Sequence, residues 1–328
     1  MYALERISEV FRMAKQVPFD DSSKIVIMSD CHRGDGSWAD NFARNQNLFF
    51  TALMQYNYLN YTYIELGDGD DLWEEKDMSD SIEVYSNIFW LLSKFYKDNR
   101  LYFIFGNHDI VKGKNGLKES DFDRCFDVRE KRCISLFPGI DFHEGLILKH
   151  TDTGNKIFLI HGHQGDFLND TMWQLGRFLV RYLWKPLELL GINDPTSAAK
   201  NYQRRKRAEK KLIQWVLKEK QMLIAGHTHR PVIPEMGEPL YFNDGSCVHP
   251  RCITALEIID GHILLVKWSY KTKFDGTVYV GRDILAGPRK LQDYFESDMS
   301  KGYSSLLEEW YKENSNAEDK NCCINSEP

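Results

Sequence analysis

Five short runs in this chain end in residue types that can hold a divalent cation. They are KIVIMSD (24–30), leading into Cys31 and His32; YTYIELGD (61–68), leading into Gly69-Asp70-Asp71; RLYFIFGNHD (100–109); KIFLIHGH (156–163); and QMLIAGHTH (221–229). In each, an apolar stretch of strand length gives way to Asp, Asn or His. Residues two apart on a strand face the same way, which pairs Asp30 with His32 and His227 with His229. The same alternation turns Cys31 away from that pair and into packing. Six of the ten histidines fall in these clusters: His32, His108, His161, His163, His227 and His229. Any one cluster alone reads as an ordinary turn; five in succession read as a metal site. Carboxylate and amide oxygens mixed with imidazoles suit Mn²⁺, Fe or Zn²⁺ better than Ca²⁺ or a thiolate-type site.

The elements that must position these residues are strands alternating with helices. Residues 41–54 and 84–96 carry helical apolar spacing between the strand-like runs, which argues for an α/β fold. In open α/β sheets, ligands gather at the carboxyl ends of strands, so the five ends are expected to converge in one crevice. ITALEII (253–259) and HILLVKWSY (262–270) flank Asp260-Gly261, and FHEGLILKH and KIFLIHGH flank TDTGN. Both read as hairpins, so the sheets are expected to be mixed. The organisation expected is an N-terminal amphipathic helix in residues 1–20, a catalytic domain over 21–275, and an extension over 276–328 with a disordered tail. A helical, aromatic-rich insertion at about 169–220 sits between the fourth and fifth runs.

Composition narrows the class. The 328 residues carry a net charge of −6, which offers no global attraction for nucleic acid. Seven cysteines without CxxC spacing suit reduced thiols and a cytoplasmic location. The first residues hold charges where a signal peptide needs an apolar core.

The order Asp30-x-His32, GDGDD (67–71), GNHD (106–109), HGH (161–163) and GHTH (226–229) resembles the calcineurin-like metallophosphoesterase superfamily over roughly residues 24–270. The resemblance implies a four-layer sandwich of two mixed β-sheets flanked by helices, with two divalent metal ions at the strand ends. It implies that Asp30, His32 and His229 hold one ion, that Asn107, His161 and His227 hold the other, and that Asp68 bridges them. Two such ions with two carboxylates leave a local surplus of positive charge that attracts phosphate. They also lower the pKa of a bridging water for in-line attack on phosphorus. The family pattern further implies that His108 stabilises the transition state or protonates the leaving oxygen, with Asp109 orienting it. Arg33 reads either as a phosphate contact or as a solvated loop residue. His163 reads as substrate-facing, as packed, or as a further ligand.

The expected substrate is a phosphorylated small molecule or a nucleotide- or lipid-linked phosphoester. GDGDDLWEE lacks the Arg-Gly that Ser/Thr protein phosphatases carry after this motif. Together with the insertion ahead of GHTHRP, it resembles the UDP-2,3-diacylglucosamine pyrophosphohydrolase branch, which carries Arg where this chain has His108. The basic run QRRKRAEKK (203–211) forms a positive helix face: a solvated surface, or a contact for anionic lipid headgroups at a membrane surface or for nucleic acid. A further alternative is an inactive binding module that uses this face.

Overall fold

The computed structural model describes residues 2–74, 78–113, 125–127, 131–166, 177–178, 180 and 202–297. Of the expected insertion, residues 169–176, 179 and 181–201 lie outside the described residues, as does the polar tail.

An amphipathic helix α1 (Tyr2–Met13) leads into a strand, β1 (Lys15–Phe19). The central strands are β2 (Ile25–Met28), β3 (Thr62–Leu66) and β4 (Leu101–Ile104), with α2 (Gln46–Tyr58), α3 (Ser79–Val84) and α4 (Ser86–Lys97) between them. A small pair, β5 (Cys125–Asp127) with β6 (Arg132–Ile134), stands apart from β7 (Phe142–His143). The hairpin β8 (Gly145–His150) with β9 (Lys156–Ile160) precedes α5 (Tyr202–Glu219), β10 (Met222–Ala225) and β11 (Tyr241–Asn243). The chain then runs through β12 (Cys252–Ile259), β13 (His262–Thr272), β14 (Val278–Lys290) and α6 (Leu291–Glu296).

These strands build a five-stranded sheet, β1-β8-β9-β10-β11, and a seven-stranded sheet, β14-β13-β12-β2-β3-β4-β7. In the larger sheet β2, β3, β4 and β7 run parallel, while β12, β13 and β14 are antiparallel. In the smaller one β8 and β9 are antiparallel and β9, β10 and β11 parallel. Both sheets are mixed, as expected, and both hairpins form. Val278–Lys290, from the expected C-terminal extension, pair along β13 as the edge strand of the larger sheet.

The two-residue period of a strand separates the two cores. Ile25 and Ile27 of β2, Ile64 and Leu66 of β3, and Ile104 of β4 pack against the smaller sheet together with Leu146, Leu148, Ile157 and Leu159. Val26, Met28, Tyr63 and Phe103 point the other way, onto Leu48, Phe49 and Leu53 of α2 and Ile88, Leu92 and Phe95 of α4. Cys31 is buried in this second core. Ile7 and Val10 of α1 and Leu212, Ile213, Trp215 and Val216 of α5 cover the outer face of the smaller sheet. The layers therefore run helix, sheet, sheet, helix. Among the described residues, no helix is long and apolar enough to cross a membrane.

Candidate metal centre

Backbone hydrogen bonds join the loop that leaves β2 to the one that leaves β3, and the loop that leaves β10 to the one that leaves β9. The N–H groups of Asp30, His32 and Arg33 donate to the carbonyls of Gly67, Asp68 and Gly69 (3.0, 2.9 and 3.1 Å), and Gly226 N–H donates to His161 O (2.9 Å). Gly67 allows this approach: its φ is +91°, and a Cβ there would lie 2.5 Å from the His161 ring. A Cβ on Gly106 would likewise meet Asp68 Oδ1 at 2.1 Å. Ten non-glycine residues among those described have left-handed φ, and Asp30, His32, Asp68, His227 and His229 are five of them. Such backbone costs of order 1–3 kcal/mol per residue and persists only where its surroundings enforce it. Here the interleaved loops do so, and the effect is to turn five side chains inward.

The carboxylates show how each side chain is aimed. Asp30 Oδ2 accepts from Ser29 Oγ and from His227 N–H (2.9 Å), which leaves Oδ1 facing the crevice. Asp68 Oδ1 accepts from His108 N–H (2.8 Å), leaving Oδ2 free to face inward. His161 Nδ1 lies 2.9 Å from Leu66 O, which leaves Nε2. Around these atoms three groups form among the described residues, Asp30 with His32 and His229, Asp68 with His161 and His227, and His32 with Asp71 and His108; within each group the ligand atoms lie within 4.8 Å of one another. His229 Nε2 is 2.9 Å and His32 Nε2 3.7 Å from Asp30 Oδ1, while His161 Nε2 is 3.1 Å and His32 Nε2 3.8 Å from Asp68 Oδ2.

Asp30 Oδ1, Asn107 Oδ1 and His161 Nε2 are buried and form no aligned hydrogen bond. Buried polar atoms are normally satisfied, so orphans on the loops that carry these groups fit a cation that takes their lone pairs. Oxygen and imidazole donors with pinned second atoms are the arrangement divalent metals use. Burial alone would lower the His161 imidazole, but the Asp68 and Asp30 charges hold it up at about 9. Burial and His161 push His227 down to about 4.

His108 stands at the edge of this cluster. Its Nδ1 is 3.0 Å from Asp71 Oδ1, and Asp71 Oδ2 also approaches His32 Nδ1 at 3.6 Å. Burial lowers the His108 imidazole, yet the neighbouring Asp71 and Asp68 charges raise it above its ordinary value. The partner of His108 is thus Asp71, not Asp109. The Asp109 carboxylate accepts from the N–H groups of Gly106 (2.6 Å), Asp68 (3.3 Å) and Gly69 (3.1 Å), and from Lys112 Nζ (2.7 Å). Those four donors commit it to holding two loops together, so it does not orient His108. Asp71 was visible in the sequence as the last residue of GDGDD; which histidine it would meet was not.

Neither expected substrate contact is exposed. Arg33 is fully buried. Its Nε and Nη2 donate to Asp70 (2.7 and 3.1 Å), and Nη1 and Nη2 donate to Glu65 (2.7 and 2.8 Å). Lys112 joins this network through Asp70 (2.6 Å). His163 is buried in a single 3₁₀ turn, its ring 5.7 Å from that of His161. Burial and the charges of His161 and His227 hold its imidazole well below the usual range. Asp244, in the turn after β11, lies 2.8 Å from the Ser29 hydroxyl that also bonds Asp30, and so supports that carboxylate from behind.

A family model described as calcineurin-like phosphoesterase matches residues 23–231, and the chain belongs to that family. It is accordingly a metal-dependent phosphoesterase, acting on phosphorylated substrates. Among solved structures it is similar to a crystal structure of a mutant cold-active protein tyrosine phosphatase, at 15% identity over 84% of this chain and 83% of that one, with a TM-score of 0.40. No curated protein matches the chain.

Proposed function

We propose that the chain is a dinuclear phosphohydrolase, with Asp30, His32 and His229 around one divalent cation, Asn107, His161 and His227 around a second, and Asp68 between them. The observation that carries this reading is that buried atoms of three proposed ligands find no aligned partner: Asp30 Oδ1, Asn107 Oδ1 and His161 Nε2. The donor types favour Mn, Fe or Zn. Bound there, the cations would supply Lewis acidity toward a phosphoryl oxygen and a water of lowered pKa.

The chain's own contribution is orientation and proton handling. Asp71 holds His108 Nδ1, which leaves Nε2 as the atom that can give a proton to the leaving oxygen. Asp109, Arg33 and Lys112 keep the loops in register from below. The test is hydrolysis of a chromogenic phosphodiester and phosphomonoester with Mn²⁺, with chelator and Asp68→Asn as controls. Undiminished turnover by metal-free protein excludes the reading.

A narrower reading, cleavage of the pyrophosphate in a UDP-2,3-diacylglucosamine-type lipid, is supported by the basic side of α5. Arg207 and Lys210 are exposed there, while Ala208, Leu212 and Trp215 are buried. An anionic lipid surface fits such a face. Equal rates on a detergent-dispersed lipid substrate and a soluble diester would count against it. A cytoplasmic location is proposed on the same footing, supported by the free thiols of Cys31, Cys133, Cys247 and Cys252.

A further inference from the structure

Trp73 follows Asp71 by two residues, in the turn after β3, and is buried. Its indole stacks on the His108 imidazole, with ring centroids 4.5 Å apart and planes 20° from parallel. His32 meets the same imidazole edge-on, at 4.6 Å and 88°. Asp71 holds His108 Nδ1 at 3.0 Å. The three contacts restrict different motions. A hydrogen bond at Nδ1 fixes where the ring points but leaves it able to rock about the N···O axis. An indole face laid against the ring removes that rocking, and the His32 edge limits the remaining sideways slip. Stacked aromatic pairs are favourable in their own right, and more so when one ring carries positive charge.

We propose that Trp73 is a positioning residue for phosphoester hydrolysis: its indole sets the plane in which His108 presents Nε2 to the leaving oxygen. The proposal rests on the reading of His108 as proton donor. In that step the oxygen of the attacking water bonds to phosphorus, the phosphorus–oxygen ester bond breaks, and the proton moves from His108 Nε2 to the departing oxygen. Trp73 exchanges neither protons nor electrons. Small errors in the placement of a catalytic group cost rate steeply, and here the cost must fall on substrates that need the proton.

The experiment compares two aryl phosphate esters, one releasing phenol and one releasing 2,4-dinitrophenol, which departs without protonation. Trp73→Phe keeps a ring; Trp73→Met keeps apolar bulk without one. Trp73→Met is expected to lower kcat on the phenyl ester by about 10-fold and on the dinitrophenyl ester by less than about 2-fold, with KM and Mn²⁺ uptake unchanged. Trp73→Phe should recover most of the loss. His108→Ala is the control for the underlying reading: it should cost about 100-fold or more on the phenyl ester and spare the other. If His108→Ala discriminates between the esters but Trp73→Met slows both alike, or the Phe and Met variants behave identically, the positioning role is overturned. If His108→Ala itself slows both esters equally, the proton-donor reading fails and takes the proposal with it.

Discussion

His161 Nε2 stands 3.1 Å from Asp68 Oδ2, yet this nitrogen forms no aligned hydrogen bond. Two buried groups of complementary charge, so close and so poorly aligned, point toward a shared third position. Each is fixed from its far side, Asp68 by the His108 backbone and His161 by Leu66. Neither can turn to improve the contact without breaking its outer bond. Asp68→Asn, which keeps the shape and removes the charge, should therefore lower phosphoesterase activity by at least about 100-fold, more than loss of an outer-shell partner. Thermal unfolding of the cation-free protein should change little by comparison. Steady-state rates and melting curves on the same preparations check this.

Asp71 and Asp109 are the last residues of their motifs, GDGDD and GNHD, but the structure gives them different duties. Asp71→Asn should lower kcat by about 10- to 100-fold with a smaller loss of cation uptake than Asp68→Asn, because Asp71 meets His108 at 3.0 Å and approaches the proposed ligand His32 only at 3.6 Å. Asp109→Asn removes charge from a carboxylate that gathers three backbone N–H groups and Lys112. It should reduce stability first and activity only as a consequence. Kinetics run beside chemical denaturation separate the two; a kcat defect in Asp109→Asn at full stability would contradict the assignment.

Beneath the crevice, Arg33 and Lys112 are buried with Glu65, Asp70 and Asp109. Removing one partner leaves the others as unpaired buried charge, at a typical cost of 3–5 kcal/mol. Lys112→Met should therefore destabilise the fold by about 3 kcal/mol or more, while paired removal with Asp70→Asn should cost less than the two single changes summed. Denaturant titrations of the four proteins in the cycle give the coupling directly.

The same network sets an acid limit. Burial would raise the Asp70 carboxyl, but Arg33 and Lys112 outweigh it and hold it at about 2, below the ordinary 3.8. A carboxylate depressed in the folded state adds stability that is fully present above its unfolded value and is lost as pH falls through its folded value. Wild-type protein should thus lose this contribution between about pH 4 and pH 2, and Asp70→Asn should show a shallower decline across that window. Unfolding free energy measured at half-unit steps tests it.

Much of this was legible in the chain itself. Apolar runs ending in Asp30, Asp68, Asn107, His161 and His227 announce buried strands with ligands at their carboxyl ends, and the parallel pairing of β2, β3 and β4 places three of those ends side by side. Cys31 packs in the core as expected, but it lies beyond the end of β2, between Asp30 and His32 of left-handed φ, so the loop backbone and not strand alternation turns it inward. The direction of loop side chains was not legible, since each depends on partners distant in sequence. Arg33 reads as a surface arginine until Glu65, an inward residue of β3, and Asp70 are brought against it. Asp109 reads as a neighbour of His108, yet its side chain turns down to Gly69 and Lys112. Trp73 looks like one more apolar residue, because stacking on His108 needs the β3 and β4 loops already adjacent. β1 and β14 carry Pro18 or polar residues along their length, which masks the strand signal that edge positions tolerate.

The most direct measurement counts cations against activity. Metal-free protein titrated with Mn²⁺ in a calorimeter, with phosphoester hydrolysis followed on the same samples, should take up two ions per chain and gain activity with them; Asp68→Asn should lose both. Full hydrolysis by protein that binds no Mn²⁺, Fe or Zn²⁺ would contradict the account, and saturation at a single ion with full activity would contradict its dinuclear form.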